Sequence, residues 1–308
     1  IKPMNCLGHI KVFQNEVRSY RDLPLKFFEY GVVHRHEKSG VIHGLFRVRE
    51  FTQDDAHIFC TPDQIKENVI EILSFVDSIM NAFGFKYEME ISTRPEKSIG
   101  DEAYWIAATE GLKKALDENG IKYGIDEGGG AFYGPKIDIK ITDALKRKWQ
   151  CGTIQVDFNL PERFDISYVD ANNEHARPVM LHRAILGSFE RFIGILIEHH
   201  AGAFPLWLAP VQLVIMNITS DQAEYCSNIA TQFTQAGFRV ETDLRNEKIG
   251  YKIREHSAQR IPYQLVIGDK EKQAGKVAIR RRGEDLGQMT VAEFIAYMQQ
   301  EIATTFAH

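Results

Sequence analysis

Arg47-Val48-Arg49-Glu50-Phe51-Thr52-Gln53-Asp54-Asp55-Ala56-His57 alternates along its length, and a period of two is the mark of a β-strand. Taken as a strand, its odd face carries two guanidiniums, an aromatic ring, an amide, a carboxylate and an imidazole in a row. Such a row can meet a phosphate, a flat base, an amino group and a metal in turn along one groove. A solvated strand face is the ordinary explanation of alternating polarity. Against it stands the even face: Val48, Glu50, Thr52, Asp54, Ala56 and Ile58 make no clean apolar stripe either. The strand reads as built for a site.

Toward the N-terminus, residues 28–37 read as a partner strand and 38–44 as a glycine-containing turn, so that 45–59 returns as one long antiparallel strand. In His34-Arg35-His36-Glu37, Arg35 and Glu37 share a face that can lie beside the odd face just described. Two arginines converging from neighbouring strands make a phosphate clamp. Glu37 can accept from an exocyclic amine, and Phe51 offers a plate for a base. Taken alone, the same residues also fit a cross-strand Arg–Glu pair on a surface hairpin.

Toward the C-terminus, residues 61–82 have helical periodicity, with Pro62 in the first turn and Gly84 just past the end. A second helix is expected over 101–118, stopped by Asn119-Gly120. Strands follow near 121–126, 131–142 and 149–159, then a helix over 183–200 whose stripe is Ile185, Phe189, Phe192, Ile193 and Leu196. Beyond Pro205 the pattern becomes strand and helix in alternation, with capping boxes at Thr219-x-x-Gln222 and Thr290-x-x-Glu293. That predicts a separate small α/β domain with a largely parallel sheet, and a boundary near residue 205.

The bulk numbers agree with two soluble domains. The 308 residues are 44% hydrophobic and 26% charged, enough for a real core. No apolar run approaches a membrane span and nothing at the start resembles a signal peptide, so no membrane partner is expected. Cys6, Cys60, Cys151 and Cys226 lie far apart without a framework spacing, which points to a reducing, cytoplasmic setting. The opening Ile1-Lys2-Pro3-Met4-Asn5 reads as a piece of something longer. From Arg239 to Arg282 there are 12 Lys/Arg and 6 Asp/Glu, a local +6 in a chain whose total is −5, which leaves −11 elsewhere. A basic segment on an acidic protein fits an anionic partner, and a merely solvated basic surface equally well.

Cys6, His57 and His182 show no finger-like spacing, and other histidines, such as His34, His36 and His43, are as eligible from position alone. Three Cys/His ligands with an open fourth position would be the catalytic zinc pattern. Gly128-Gly129-Gly130 up to Lys136 lacks the features of a P-loop and reads as a hairpin turn, although Lys136 could reach a phosphate. Gln150, Thr153 and Gln155 are polar on a strand that Gly152 can kink with a bulge. Ser188 and Arg191 are i, i+3 on one helix face. No catalytic triad is evident. None is needed if a substrate carboxylate, already ionised at neutral pH, attacks a phosphate that arginines and Mg²⁺ neutralise.

Together these residues resemble the class II aminoacyl-tRNA synthetases. The segment from His34-Arg35-His36-Glu37 through Phe51 is similar to the family's motif 2, and Gly187-Ser188-Phe189-Glu190-Arg191-Phe192 to its motif 3. The finer resemblance is to threonyl-tRNA synthetases. It is carried by Lys2-Pro3-Met4-Asn5-Cys6-x-Gly8-His9, by Phe51 to His57, by Gly130-Ala-Phe-Tyr-Gly-Pro-Lys136, by His182-Arg-Ala-Ile-Leu-Gly-Ser188 and by Arg245-Asn246-Glu247-Lys248-Ile249-Gly250.

The resemblance implies an α+β catalytic domain, an antiparallel sheet with helices, over residues 1–204, and a smaller α/β anticodon-binding domain over 205–308. It implies threonine–tRNA ligase activity, with ATP, Mg²⁺ and Zn²⁺ as cofactors, L-threonine and tRNA(Thr) as partners, and a homodimer for the full-length protein. Cys6, His57 and His182 would hold the zinc, which threonine's amino and hydroxyl groups would complete; valine has no hydroxyl to offer. Asp55 would accept from that hydroxyl, and Tyr133, Gln53 and the Met4 backbone would line the amino acid pocket. Arg35 would neutralise the reacting carboxylate and α-phosphate, with Arg47 and Arg191 on the outer phosphates. Glu37 and Phe51 would hold adenine, and Lys136, Gln150, Thr153, Gln155 and Ser188 would complete the nucleotide and substrate walls. Asn246, Glu271 and Arg280 would read anticodon bases, which favours a nucleic-acid partner for the basic segment.

Two departures are visible. Leu7 stands where the family usually has proline, and motif 1 and an amino-terminal editing region are absent from these residues. A chain without an editing region is not expected to clear mischarged serine. The rival readings are a related synthetase for another amino acid and a catalytically silent RNA-binding fragment.

Overall fold

The computed structural model describes residues 1–305. They form two compact units, divided between Leu196 and Ile197. The first is built on a seven-stranded sheet of β1 (Leu25–His34), β2 (Glu50–Cys60), β3 (Tyr87–Ser92), β4 (Tyr123–Asp126), β5 (Lys136–Thr142), β6 (Lys148–Asp157) and β7 (Val179–Ala184). The order across it is β1-β2-β7-β6-β5-β3-β4. Every neighbouring pair is antiparallel except β3 and β4, which run parallel.

Four helices of nine residues or more accompany this sheet: α1 (Cys6–Gln14), α2 (Ile65–Ala82), α3 (Glu102–Glu118) and α4 (Phe189–His199). Their apolar spacing explains them. Val69, Ile72, Leu73, Val76 and Met80 bury one stripe of α2, and Trp105, Ala108, Leu112 and Leu116 do so for α3. In α1, Cys6, Ile10 and Phe13 fall on the buried side and join a cluster with Phe59, Leu160 and Met180. The zinc-candidate cysteine is thereby set by helix packing.

Three expectations change here. The strand expected over 45–59 begins only at Glu50; Arg47 lies in a turn, bridged to His43, so Arg47 and Arg49 are not part of the strand face. The strand expected over 131–142 begins at Lys136, after a tight bridge between Ala131 and Gly134. The helix expected over 183–200 is instead the end of β7, a turn, and α4. That turn is forced by Gly187, whose φ is +73° and where a Cβ would stand 2.1 Å from the Cys151 carbonyl oxygen.

The second unit holds a five-stranded sheet: β8 (Leu213–Asn217), β9 (Val240–Asp243), β10 (Tyr263–Ile267), β11 (Lys276–Arg281) and β12 (Glu284–Thr290). Its order is β9-β8-β10-β11-β12. The first three strands are parallel, but β11 and β12 add an antiparallel hairpin. A largely parallel sheet is therefore half right. Arg282 and Gly283 both have positive φ, the two-residue turn that returns a strand directly and leaves no room for a crossover helix. Helices cover both faces: Phe233 and Phe294 pack on Leu213, Ile215 and Leu265, while Ile249 and Ile253 pack against Val214 and Met216. Both capping boxes form at Thr219 and Thr290. No helix of the described residues is long and apolar enough to cross a membrane.

Candidate active site

The face of β2 that carries Phe51, Gln53, Asp55 and His57 opens onto two adjoining cavities. The larger, about 320 Å³, is lined by Arg35, Glu37, Arg47, Phe51, Gln150, Ser188 and Arg191 among others. The smaller, about 70 Å³, is lined by Met4, Cys6, Asp55, His57, Tyr133 and His182. Arg35, Gln53, Thr153 and Gln155 line both, so they stand where the two meet.

Sheet register assembles the small cavity. His182 of β7 pairs laterally with His57 of β2 on one side and Gln155 of β6 on the other. Cys6 arrives from the first turn of α1. The donor atoms of Cys6, His57 and His182 all lie within 4.8 Å of one another, and all three residues are buried. The second nitrogen of each histidine is engaged: His182 Nε2 meets Asp157 at 2.9 Å, and His57 Nδ1 meets His9 Nδ1 at 2.7 Å. His57 Nε2 is left buried with no hydrogen-bond partner. A buried, orphaned imidazole nitrogen facing a thiol and a second imidazole is what a metal ion would satisfy, and carboxylate support behind a ligating histidine is the usual second layer. Burial, with His182, His9 and Arg183 nearby, holds the His57 imidazole well below its ordinary range and therefore neutral, the ligating form. For His182 burial opposes the charged form, yet Cys6 and Asp157 raise it to about 10, so a metal ion bound there would displace the proton held between the Cys6 sulfur and this ring. The donor set fits zinc.

Asp55 accepts from the Asn5 amide at 3.0 Å, and its second oxygen stands 3.8 Å from His57 Nε2. Tyr133 donates its hydroxyl to Gln155; burial pushes that phenol well above its usual range, so it stays a donor.

The larger cavity is arginine-rich. The Arg35 guanidinium lies 5.2 Å above the Phe51 ring, so cation and plate share one wall. Arg47 grips Glu37 at 3.1–3.2 Å, the Arg–Glu pair foreseen as the plainer reading of this hairpin. Arg191 donates to the carbonyls of Phe46 at 2.8 Å and Gln150 at 2.7 Å. A bulge explains why Gln150 joins Thr153 and Gln155: β6 pairs Lys140 with Gln150 and Ile139 with Gly152, skipping Cys151. Without that extra residue Gln150 would face away from the other two.

Lys136 lines neither cavity. Its ammonium is held at 2.6 Å by buried Asp138, whose other oxygen accepts the Gln150 amide at 2.6 Å. In the second unit the three anticodon candidates are dispersed in role. Asn246 sits in the loop after β9, Glu271 caps a short helix by accepting from Gly268 N, and Arg280 lies on β11. Sequence reading passed over His9, Asp157 and Asp54. His9 is i+3 from Cys6, a helical spacing that could have flagged it.

Residues 1–200 match the family model for the tRNA synthetase class II core domain (G, H, P, S and T), and residues 212–301 match that for the anticodon binding domain. A threonine–tRNA ligase of Campylobacter lari is 65% identical over 304 residues, covering 98% of this chain and 50% of that protein. One of Campylobacter jejuni is 62% identical over 304 residues, with the same coverage. The chain spans about half the length of the curated relatives it matches. Among solved structures, the RNA binding domain of threonyl-tRNA synthetase from Cryptosporidium parvum Iowa II is 43% identical with a TM-score of 0.93, covering 98% of this chain and 76% of that one. A putative threonyl-tRNA synthetase of Aeropyrum pernix is 29% identical with a TM-score of 0.82, covering all of this chain and 76% of that one.

Proposed function

Because the chain belongs to the class II aminoacyl-tRNA synthetase family, in its threonyl branch, we propose that it carries threonine–tRNA ligase chemistry. The observation that supports this most is the junction of an arginine-lined cavity with a Cys/His/His pocket across Arg35, Gln53, Thr153 and Gln155. ATP would fill the larger space and L-threonine the smaller.

The threonine carboxylate, ionised at neutral pH, attacks the α-phosphorus of ATP. A carboxyl–phosphate bond forms, the bond to the β-phosphate oxygen breaks, and pyrophosphate leaves. No proton has to be removed, so the residues contribute charge and placement. Arg35, at the junction, neutralises carboxylate and α-phosphate together. Arg47 and Arg191 bind the outer phosphates with Mg²⁺. Glu37 and Phe51 hold adenine, and Ser188 and Gln150 close the wall behind it. Lys136 acts through Asp138, which orients the Gln150 amide. Asp55 accepts the threonine hydroxyl, while Tyr133, Gln53 and the Met4 backbone shape the pocket. Cys6, His57 and His182 would hold zinc, which when bound supplies chelation of the amino and hydroxyl groups and so rejects valine. In the second step a ribose hydroxyl at the 3′ end of tRNA(Thr) attacks the acyl carbon, an ester bond forms as the bond from that carbon to the α-phosphate oxygen breaks, and AMP leaves with the hydroxyl proton passing to its phosphate or to solvent. Asn246, Glu271 and Arg280 read the anticodon on the basic second unit. The setting is reducing and cytoplasmic, in keeping with four unpaired, buried cysteines, and the full-length protein is a homodimer.

The test is threonine-dependent ATP–pyrophosphate exchange, with zinc measured by mass spectrometry on the same sample. Exchange with threonine and not with valine supports the reading. A folded, zinc-loaded chain that shows none overturns it, and folded protein that takes up no metal points to a synthetase for another amino acid.

A further inference from the structure

At Thr52 and Asp54 the even face of β2, which lines neither of the two cavities described above, is tied to the helix that carries Arg191. The Asp54 carboxylate, 6% exposed, accepts three consecutive backbone N–H groups. Ile185 (2.8 Å) and Leu186 (3.2 Å) donate to one oxygen and Gly187 (2.9 Å) to the other. Two residues back, the Thr52 N–H donates to both carboxylate oxygens of Glu190, at 3.0 and 3.2 Å. Between them, Gln53 makes an isolated bridge to Ser188. The nearest cation to Asp54 is Arg183, at 3.7 Å.

Three amides on one buried carboxylate leave a short irregular turn a single arrangement. That turn runs directly into α4, where Arg191 spends two of its donors on the Phe46 and Gln150 carbonyls and keeps the rest for a ligand. We propose that Asp54 is a positioning residue for nucleotide binding: by holding the 185–187 turn from behind the sheet, it sets where Arg191 meets the phosphates of ATP. The inference rests on the ligase reading above. An asparagine keeps the volume but offers one acceptor oxygen and turns an N–H₂ group toward N–H donors, so at least one amide loses its partner.

The experiment is calorimetric binding of a non-hydrolysable ATP analogue with Mg²⁺ to the 308-residue chain and its Asp54→Asn variant, with zinc content and thermal melting measured beside it. The Kd of the variant is expected to rise on the order of tenfold, about the loss of one charge-assisted hydrogen bond, while zinc content is unchanged. In an Arg191→Ala background, Asp54→Asn is expected to add less than about twofold, because its effect passes through Arg191. Should Asp54→Asn not fold, Glu190→Gln loosens the neighbouring tie from the Thr52 N–H to the start of α4 without altering the cavity wall, and is expected to give a smaller loss of the same sign, again without loss of zinc. A folded variant with wild-type affinity, or an equal rise in Kd in both Arg191 backgrounds, overturns the proposal alone. A wild-type chain that binds no analogue overturns the ligase reading and this proposal with it.

Discussion

Replacing Gly31 by alanine tests how the Cys6 arm is fixed to the sheet. A Cβ built at Gly31 would stand 2.3, 2.4 and 2.4 Å from Nδ2, Cγ and Oδ1 of Asn5. Asn5 is 1% exposed and sits at the start of α1, one residue before Cys6, so its amide has nowhere to retreat. Overpacking of a tight core costs about 1–3 kcal/mol. Expelling the amide also breaks its 3.0 Å hydrogen bond to the Asp55 carboxylate, worth roughly 1.5–3 kcal/mol for a charged acceptor. Gly31→Ala should therefore destabilise the first unit by about 2.5–6 kcal/mol. Asn5→Ala alone should cost only the hydrogen-bond share. The double variant should match Asn5→Ala within about 0.5 kcal/mol, because the new methyl then has room. Guanidinium melts followed by tryptophan fluorescence report this, since Trp105 and Trp149 both lie in the first unit. Wild-type stability for Gly31→Ala, or strict additivity in the double variant, would refute the steric argument.

Further outcomes follow from the same contacts. His9→Phe removes the partner of His57 Nδ1 and should weaken zinc affinity, read by competition with a chelator, by about 10–100-fold; unchanged competition would dismiss His9 as a supporting residue. In the second unit, fully buried Lys252 donates to Asn217 O, Asn217 Oδ1 and Asp243 O at 2.8–3.1 Å. Lys252→Met should destabilise that unit by about 1–3 kcal/mol or more, the cost of stranding buried acceptors, and a melt equal to wild type would contradict it. Arg245 first, then His256, hold the Asp243 carboxyl well below its usual range. A depressed carboxyl stabilises the fold fully above its unfolded value near 4, and this is lost as pH falls toward the folded value. Asp243→Asn should flatten the acid limb of stability against pH, and an unaltered limb would show that another group controls it.

Much of this molecule can be read from residue order, for a local reason. A strand of period two declares which residues share a face, so Phe51, Gln53, Asp55 and His57 stand together in the structure as their spacing requires. Arg47 reaches the same cleft from a turn, so the alternation that pointed to it was coincidental there. Gln150 aligns with Thr153 and Gln155 because Gly152 allows a bulge, a possibility visible in the glycine. Lys136 was drawn toward phosphate by its charge, but buried Asp138 on the same strand claims it.

What residue order determined by itself was the repertoire: amphipathic helices, a β-strand bearing chemistry, a second α/β unit and a chain rich in arginine and histidine. Each follows from periodicity, which is local. The tertiary structure alone decided the groupings. Cys6, His57 and His182 are separated by long stretches of chain, and only the register of β7 between β2 and β6, with α1 packed over it, brings their donor atoms within 4.8 Å. The even face of β2 gained its meaning in the same way. Asp54, one of the residues that keep that face from being a clean apolar stripe, is where the 185–187 turn folds against the strand. A buried carboxylate has to find its donors wherever the sheet delivers them, and those donors are backbone amides, which carry no signature in a sequence.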